Sequence, residues 1–190
     1  MTVRPRLHWS AVSVGAVLIA LSGYTSWAGQ SSTPTPATPV IPVSKRHDAP
    51  AVAGADLQGH LTALIDLTGH VVVVNVWGSW CAPCRAEAAA LEAVHRETQA
   101  RGVRFLGINT RDQQTEAART FEQRYHLTFP SLFDPDGRLL MHFPADSLNP
   151  QAIPSTLVID RSGRIAATLP GPVTADRLKS VIAQVLGRQR

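Results

Sequence analysis

Residues 71–84 read Val71-Val72-Val73-Val74-Asn75-Val76-Trp77-Gly78-Ser79-Trp80-Cys81-Ala82-Pro83-Cys84, an apolar run that ends in two closely spaced cysteines. Val71 to Trp77 is almost uninterrupted in β-branched and aromatic residues, the pattern of a strand covered on both faces. From Ala86 to Gln99 the chain turns alanine-rich, with Ala90, Leu91, Val94 and Thr98 on one stripe, which predicts a helix. The cysteines thus lie where a buried strand hands over to a helix. With Cys81 at the cap position, Pro83 falls in the first turn, where a missing N–H costs nothing because those donors have no helical acceptor. Cys84 then lies one turn on, facing Cys81.

This placement has chemical consequences. Unpaired N–H groups and the helix dipole favour a thiolate at Cys81, and cysteines so placed titrate at about 3.5 to 7.5 rather than about 8.5. Cys81 is the candidate nucleophile, and Cys84, deeper in the helix, is the resolving thiol that releases a mixed disulfide. The competing reading is a structural staple. A four-residue loop gains only about 2 kcal/mol from cross-linking, against about 4.7 kcal/mol for a 100-residue loop. The chain has only two cysteines, so no larger disulfide framework is available, and a redox pair is the better reading.

Outward from this junction the signals alternate. Val103 to Asn109 predicts a second buried strand, and Asp112 is placed to cap a helix with Ala118, Phe121 and Tyr125 on one face. Asp134-Pro135-Asp136-Gly137 is a turn. Thr156 to Asp160 and Arg164 to Leu169 flank Arg161-Ser162-Gly163 as a hairpin, and Thr174 opens a final amphipathic helix through Leu186. The order βαβα followed by ββα predicts one α/β domain with a mixed sheet.

Composition supports a folded unit: 190 residues, 44% of them hydrophobic, four tryptophans and 17% charged are enough for a core and argue against disorder. The net charge of +4 does not mark a polyanion binder. Residues 49–187 hold twelve Lys/Arg against thirteen Asp/Glu, and the excess comes from Arg4, Arg6, Lys45, Arg46, Arg188 and Arg190 at the ends. No nucleic-acid partner is expected.

At the N-terminus, Arg4 and Arg6 precede an apolar stretch from Ala11 to Leu21 and the small-residue string Ser26-Trp27-Ala28. These are marks of an export signal, and residues 1–28 read as a signal peptide or signal anchor. No charge occurs between Trp9 and Ser44, so cleavage and retention both stay open. Leu21-Ser22-Gly23-Tyr24 has a tyrosine where a lipoprotein signal needs its cysteine, which excludes a lipid anchor there. Residues 29–48, rich in Pro, Ser and Thr, read as a semi-rigid linker, and 49–190 as the working domain. The protein is expected outside the cytoplasm, secreted or tethered by its N-terminal segment to the outer face of the cytoplasmic membrane.

With these residues assembled, Ala49 to Leu186 resembles the thioredoxin superfamily, in particular its TlpA-like branch of exported thiol-disulfide oxidoreductases. The resemblance rests on the stretch from Val73 to Cys84, and it implies a thioredoxin-like fold with a mixed central sheet flanked by helices. Ile153-Pro154-Ser155-Thr156 is similar to the family's cis-proline loop, which lies against the two cysteines and leaves the preceding backbone free to pair with an extended substrate. The resemblance therefore implies substrate contacts at Trp80, Ala82, Pro83, Ile153 and Pro154, with Trp77 left to packing or the pocket rim. The polar segment 143–152 reads as a loop that selects partners.

Two acidic positions of the family are informative. Where cytosolic thioredoxins carry a buried aspartate, this chain has Asn75, which hydrogen-bonds but exchanges no proton. Glu87 matches a glutamate of the TlpA-like branch and, if buried, is suited to accept the proton of Cys84. The resemblance further implies protein disulfide substrates, a membrane thiol-transfer protein as electron donor, a place in cytochrome c maturation, and no cofactor. The alternative is a Cu(I)-binding or copper-delivery module on the same two sulfurs. Copper-delivery relatives, however, space their cysteines differently and add a histidine, and the seven histidines here are scattered. A peroxidase of this fold would need a threonine at position 77, where Trp77 stands. Phosphate-cradling loops, hydrolase triads and dinucleotide fingerprints are absent.

Overall fold

A computed structural model describes residues 40–187, all within one compact unit; the leader and the first part of the linker lie outside the described residues. The elements follow as β1 (Ala53–Ala55), β2 (Leu61–Ala63), β3 (Val71–Trp77), α1 (Ala82–Thr98), β4 (Val103–Thr110), α2 (Thr115–Tyr125), β5 (Ser131–Asp134), β6 (Ser155–Ile159), β7 (Ile165–Pro170) and α3 (Ala175–Gly187). β1 and β2 pair as a separate small hairpin, and the main sheet has the order β5-β4-β3-β6-β7. β3, β4 and β5 run parallel, while β6 and β7 are antiparallel to their neighbours. This is the mixed sheet that the alternation of elements predicts, with β3 at its centre.

Every residue of β3 is buried, and strand periodicity divides them between two cores. Val71 and Val73 pack with Leu91 and Val94 of α1 and with Leu178, Val181, Ile182 and Val185 of α3. On the opposite face, Val72, Val74 and Val76 meet Val52, Leu64, Leu140, Phe143 and Leu148, which belong to hairpin and short-turn segments rather than to long helices. Such irregular segments carry no periodic pattern. The sequence accordingly shows β3, α1, β4, α2, β6, β7 and α3 but not β1, β2 and β5, which are three or four residues long.

Residues 40–48, which composition groups with the linker, lie along β7. The amide of Ile41 donates to the carbonyl of Ala166 at 2.7 Å, and that of Ile165 to His47 at 2.8 Å. Arg46 is buried and paired with Asp160 at 2.7 Å. These contacts cover part of an edge that would otherwise expose unpaired backbone groups.

At the other end of the strands, Gly107 of β4 sits beneath the indole of Trp77. A Cβ there would fall on the Ser131 side chain and within 2.9 Å of Trp77 Nε1, so only glycine lets the strand pass. Trp77 in turn stacks on Phe121 of α2 with ring centroids 4.4 Å apart. Gly107→Ala should lower the unfolding free energy by about 1–3 kcal/mol, the usual cost of overpacking a filled core. Urea denaturation measures this directly, and a variant as stable as the wild type would contradict the packing described.

Candidate active site

β3 ends at Trp77, and Gly78-Ser79-Trp80 carries the chain to the first turn of α1. Cys81 is the N-cap residue of that helix, in extended conformation, and its sulfur accepts the amide of Cys84 at 3.2 Å. Pro83 lies in the first turn, where its lack of an N–H is harmless. Cys81 and Cys84 form a disulfide, with sulfurs 2.05 Å apart. Cys81 is 4% exposed and Cys84 1%, so Cys81 is the outer member of the pair.

The loop that presents Cys81 is held by a residue that sequence reading assigned elsewhere. The sequence places Asp112 to cap α2, but the N-cap of α2 is Gln114, without a side-chain bond. The buried Asp112 carboxylate instead accepts the amide of Ser79 at 2.8 Å, its hydroxyl at 2.6 Å, and Asn109 Nδ2 at 2.7 Å. Three donors in a buried setting outcompete an exposed cap. Position offers the missing signal: β3 and β4 are parallel neighbours, so the loops after both strands meet at one edge of the sheet. An acid two residues beyond β4 is therefore in reach of the cysteine loop.

Glu87 lies one turn on from Cys84, on the same face of α1. It is 2% exposed. Its carboxyl accepts Asn75 Nδ2 at 2.9 Å and the amide of Val173 at 2.7 Å. Asn75 also donates to Thr156 Oγ1 at 3.1 Å, a contact made possible by the direct antiparallel pairing of Asn75 with Thr156. Burial pushes the Glu87 carboxyl from 4.5 up to about 7, with the two hydrogen bonds opposing that rise.

The Ile153–Pro154 bond is cis, as the loop resemblance implies, and Ile153 packs against the apolar cluster that holds Cys81, Cys84 and Trp77. Ala82 and Pro83 are exposed beside the disulfide. Trp80 is 49% exposed, its indole folded back over Gly78, where a Cβ would come within 2.7 Å of the ring nitrogen. The guanidinium of Arg111 lies 5.2 Å from the centre of the Trp80 ring and donates to the carbonyl of Pro150 at 3.1 Å. Within 143–152, Phe143 and Leu148 are buried in the core on the opposite sheet face, so it is the Pro150 end that meets the site. Both sulfurs are engaged with each other, and among the described residues no group of three His, Cys, Asp or Glu is placed to hold a metal.

A model of the AhpC/TSA family matches residues 46–168. The chain belongs to the AhpC/TSA family. Among family relatives, thiol-disulfide oxidoreductase ResA of Geobacillus thermodenitrificans is 28% identical over 169 residues, covering 89% of this chain and 90% of that protein. The thioredoxin-like protein YneN of Bacillus subtilis is 30% identical over 166 residues, covering 87% and 92%. Of the solved structures, a secreted thiol-disulfide isomerase from Corynebacterium glutamicum superposes with a TM-score of 0.73 at 31% identity, covering 82% of this chain and 95% of that one. A DsbF homologue from Corynebacterium diphtheriae superposes at 0.68 with 31% identity, covering 80% and 96%. The thioredoxin-like fold and the TlpA-like character implied by the sequence agree with these family relatives.

The raised Glu87 carboxyl has a thermodynamic signature. Below about pH 4.5 it is neutral in both folded and unfolded chains; between about 4.5 and 7 only the unfolded chain ionises, so stability falls as pH rises. Above 7 the full penalty, about 3 kcal/mol, is present. Glu87→Gln removes this titration. Urea unfolding of the two oxidised proteins from pH 4 to 8 should show the glutamine variant gaining about 3 kcal/mol relative to wild type. A difference that does not change with pH would contradict the buried carboxyl.

Proposed function

We propose that the protein is an extracytoplasmic thiol-disulfide oxidoreductase that reduces protein disulfides, with Cys81 as nucleophile and Cys84 as resolving thiol. The observation that carries this reading is the Cys81–Cys84 disulfide at the start of α1, with the amide of Cys84 directed at the outer sulfur. In the reduced protein that amide and the other first-turn N–H groups stabilise a thiolate at Cys81. The thiolate attacks one sulfur of a substrate disulfide and expels the other as a thiol. Cys84, deprotonated, then attacks the Cys81 sulfur, releasing the second substrate thiol and leaving the protein's own disulfide. Two electrons have passed to the substrate, and a membrane thiol-transfer protein returns them.

Trp80, Ala82 and Pro83 on one side and Ile153-Pro154 on the other form the contact surface for the substrate chain, with the Ile153 backbone offered to an extended segment. Glu87 is the base for Cys84: a carboxyl poised near neutrality both accepts and returns a proton at working pH. An extracytoplasmic location is supported by the leader in the sequence and by the secreted character of the C. glutamicum protein. A further neighbour is a secreted Mycobacterium tuberculosis disulfide oxidoreductase homologous to Escherichia coli DsbE, 26% identical with a TM-score of 0.62. The reductive direction, the membrane donor and service to cytochrome c maturation rest on the TlpA-like resemblance.

Rapid-mixing kinetics on a peptide disulfide test the assignment. Cys81→Ser should abolish reaction, whereas Cys84→Ser should accumulate a mixed disulfide visible by intact mass. Glu87→Gln should form the mixed disulfide at the wild-type rate but resolve it about 10²-fold more slowly, without the inflection near pH 7. Trapping through Cys84 rather than Cys81 would reverse the roles, and an unchanged resolution step would remove Glu87 from the chemistry.

A further inference from the structure

The domain carries no cationic excess as a whole, yet three arginines on the segments next to the cysteine loop have no carboxylate partner among the described residues. Arg85, in the first turn of α1, is exposed and donates to the carbonyl of Ser79 at 3.1 Å. Arg124, exposed near the end of α2, shares with Arg85 an open cleft whose lining also includes Ser79, Thr120, Phe121 and Tyr125. On the other side of the cysteine loop, Arg111 lies over Trp80. Among the described residues no carboxylate forms an ion pair with any of the three, a condition they share with Arg101, Arg104, Arg119 and Arg161; what sets them apart is their place beside the cysteine loop.

Of the acids near this face, Asp112 and Glu87 are withdrawn into the interior and Asp136 is ion-paired. Asp112 is buried and accepts from the neutral donors of Ser79 and Asn109, Glu87 is buried one turn on from Cys84, and Asp136 is paired with Arg138 at 3.3 Å. Glu116 is exposed at the start of α2 and does not line the cleft. The cleft floor is aromatic, since Phe121 belongs to the same apolar cluster as Cys81 and Cys84, with Tyr125 packed against it. Cations at the rim and aromatic rings on the floor are complementary to a polypeptide that carries carboxylates and an apolar side chain next to its cystine.

We propose that Arg85, Arg124 and Arg111 form a cationic rim around Cys81 that selects disulfide substrates flanked by acidic residues. This deepens the oxidoreductase reading and rests on it. The rim acts on encounter, raising the local concentration of an oppositely charged chain, and its effect is screened by salt. The bond chemistry at Cys81 is the same for any sequence that reaches it.

Three peptides with one disulfide each, flanked by glutamates, by lysines or by serines, test this with the reduced protein at 20 mM and 500 mM salt. At low salt the second-order rate for the acidic peptide should exceed that for the basic one by about tenfold, and the ratio should approach one at high salt. Arg124→Glu combined with Arg85→Glu should invert the ratio; because the ratio is taken within each protein, partial unfolding of a variant does not affect it. Equal rates for acidic and basic peptides in the wild type, or a ratio unmoved by the double change, would overturn the rim while leaving the oxidoreductase reading intact. Failure to reduce even the serine-flanked peptide would overturn both.

Discussion

The hydrogen bond from the Cys84 amide to the sulfur of Cys81 is the contact on which the rest of the site depends. It exists because the helix begins at Cys81 and nowhere else. A start one residue later would rotate Cys84 by about 100° about the axis and leave no first-turn amide aimed at the outer sulfur. Three features hold the start in register. The strand ends at Trp77, whose indole is wedged between Gly107 and Phe121. Asp112 takes both polar groups of Ser79 that face it. Pro83 removes a donor where the helix has no acceptor for it and discourages continuation of the helix toward the N-terminus. Packing, a charged hydrogen bond and a backbone restriction therefore all act on the same two or three residues.

Glu87 shows the opposite economy, since its position is costly to the fold. A buried carboxyl with two donors and no cation beside it is better neutral, and burial drives its titration toward pH 7. A leucine or methionine in its place would fill the same space without that penalty. Retaining an acid there makes physical sense when the proton itself is used. The neighbouring Asn75 fits this account: it supplies a donor to Glu87 and another to Thr156 but cannot compete for the proton. With Asn75 unable to titrate, Glu87 is left as the ionisable group of this buried polar cluster.

Much of this was legible in the chain because periodicity and spacing act locally. The β-branched run of β3 declares burial on both faces, Pro83 and the cysteine spacing declare a helix start, and Thr174 does cap the last helix, accepting the amide of Arg177 at 3.3 Å. What escaped depends on tertiary placement. β5 follows a proline and is four residues long, so its pairing with β4 has no local signature. Asp112 looks like a cap because residues that cap helices are the same ones that bind loops, and only the parallel pairing of β3 with β4 decides between the two. Residues 40–48 have the composition of a linker, yet Arg46 finds Asp160 across 114 positions, a contact that composition does not encode.

The family assignment and the chemistry of the site are separate statements, and Trp77 shows why. Membership of the AhpC/TSA family specifies a thioredoxin-like framework, and frameworks of this kind host more than one reaction. A peroxidase reading asks for a hydroxyl at position 77. The indole that stands there is 2% exposed, stacked on Phe121 and packed in one cluster with both cysteines. It offers the sulfurs an apolar floor and no hydroxyl, and it occupies the volume in which a second polar group would have to stand. An apolar floor under a disulfide whose outer member is Cys81, at the start of α1 beside the exposed Ala82 and Pro83, favours exchange with another disulfide, because the incoming reactant brings its own sulfurs and needs no oxygen-stabilising donors from the protein. The reaction follows from what lines the cysteines, and the fold sets only where they stand.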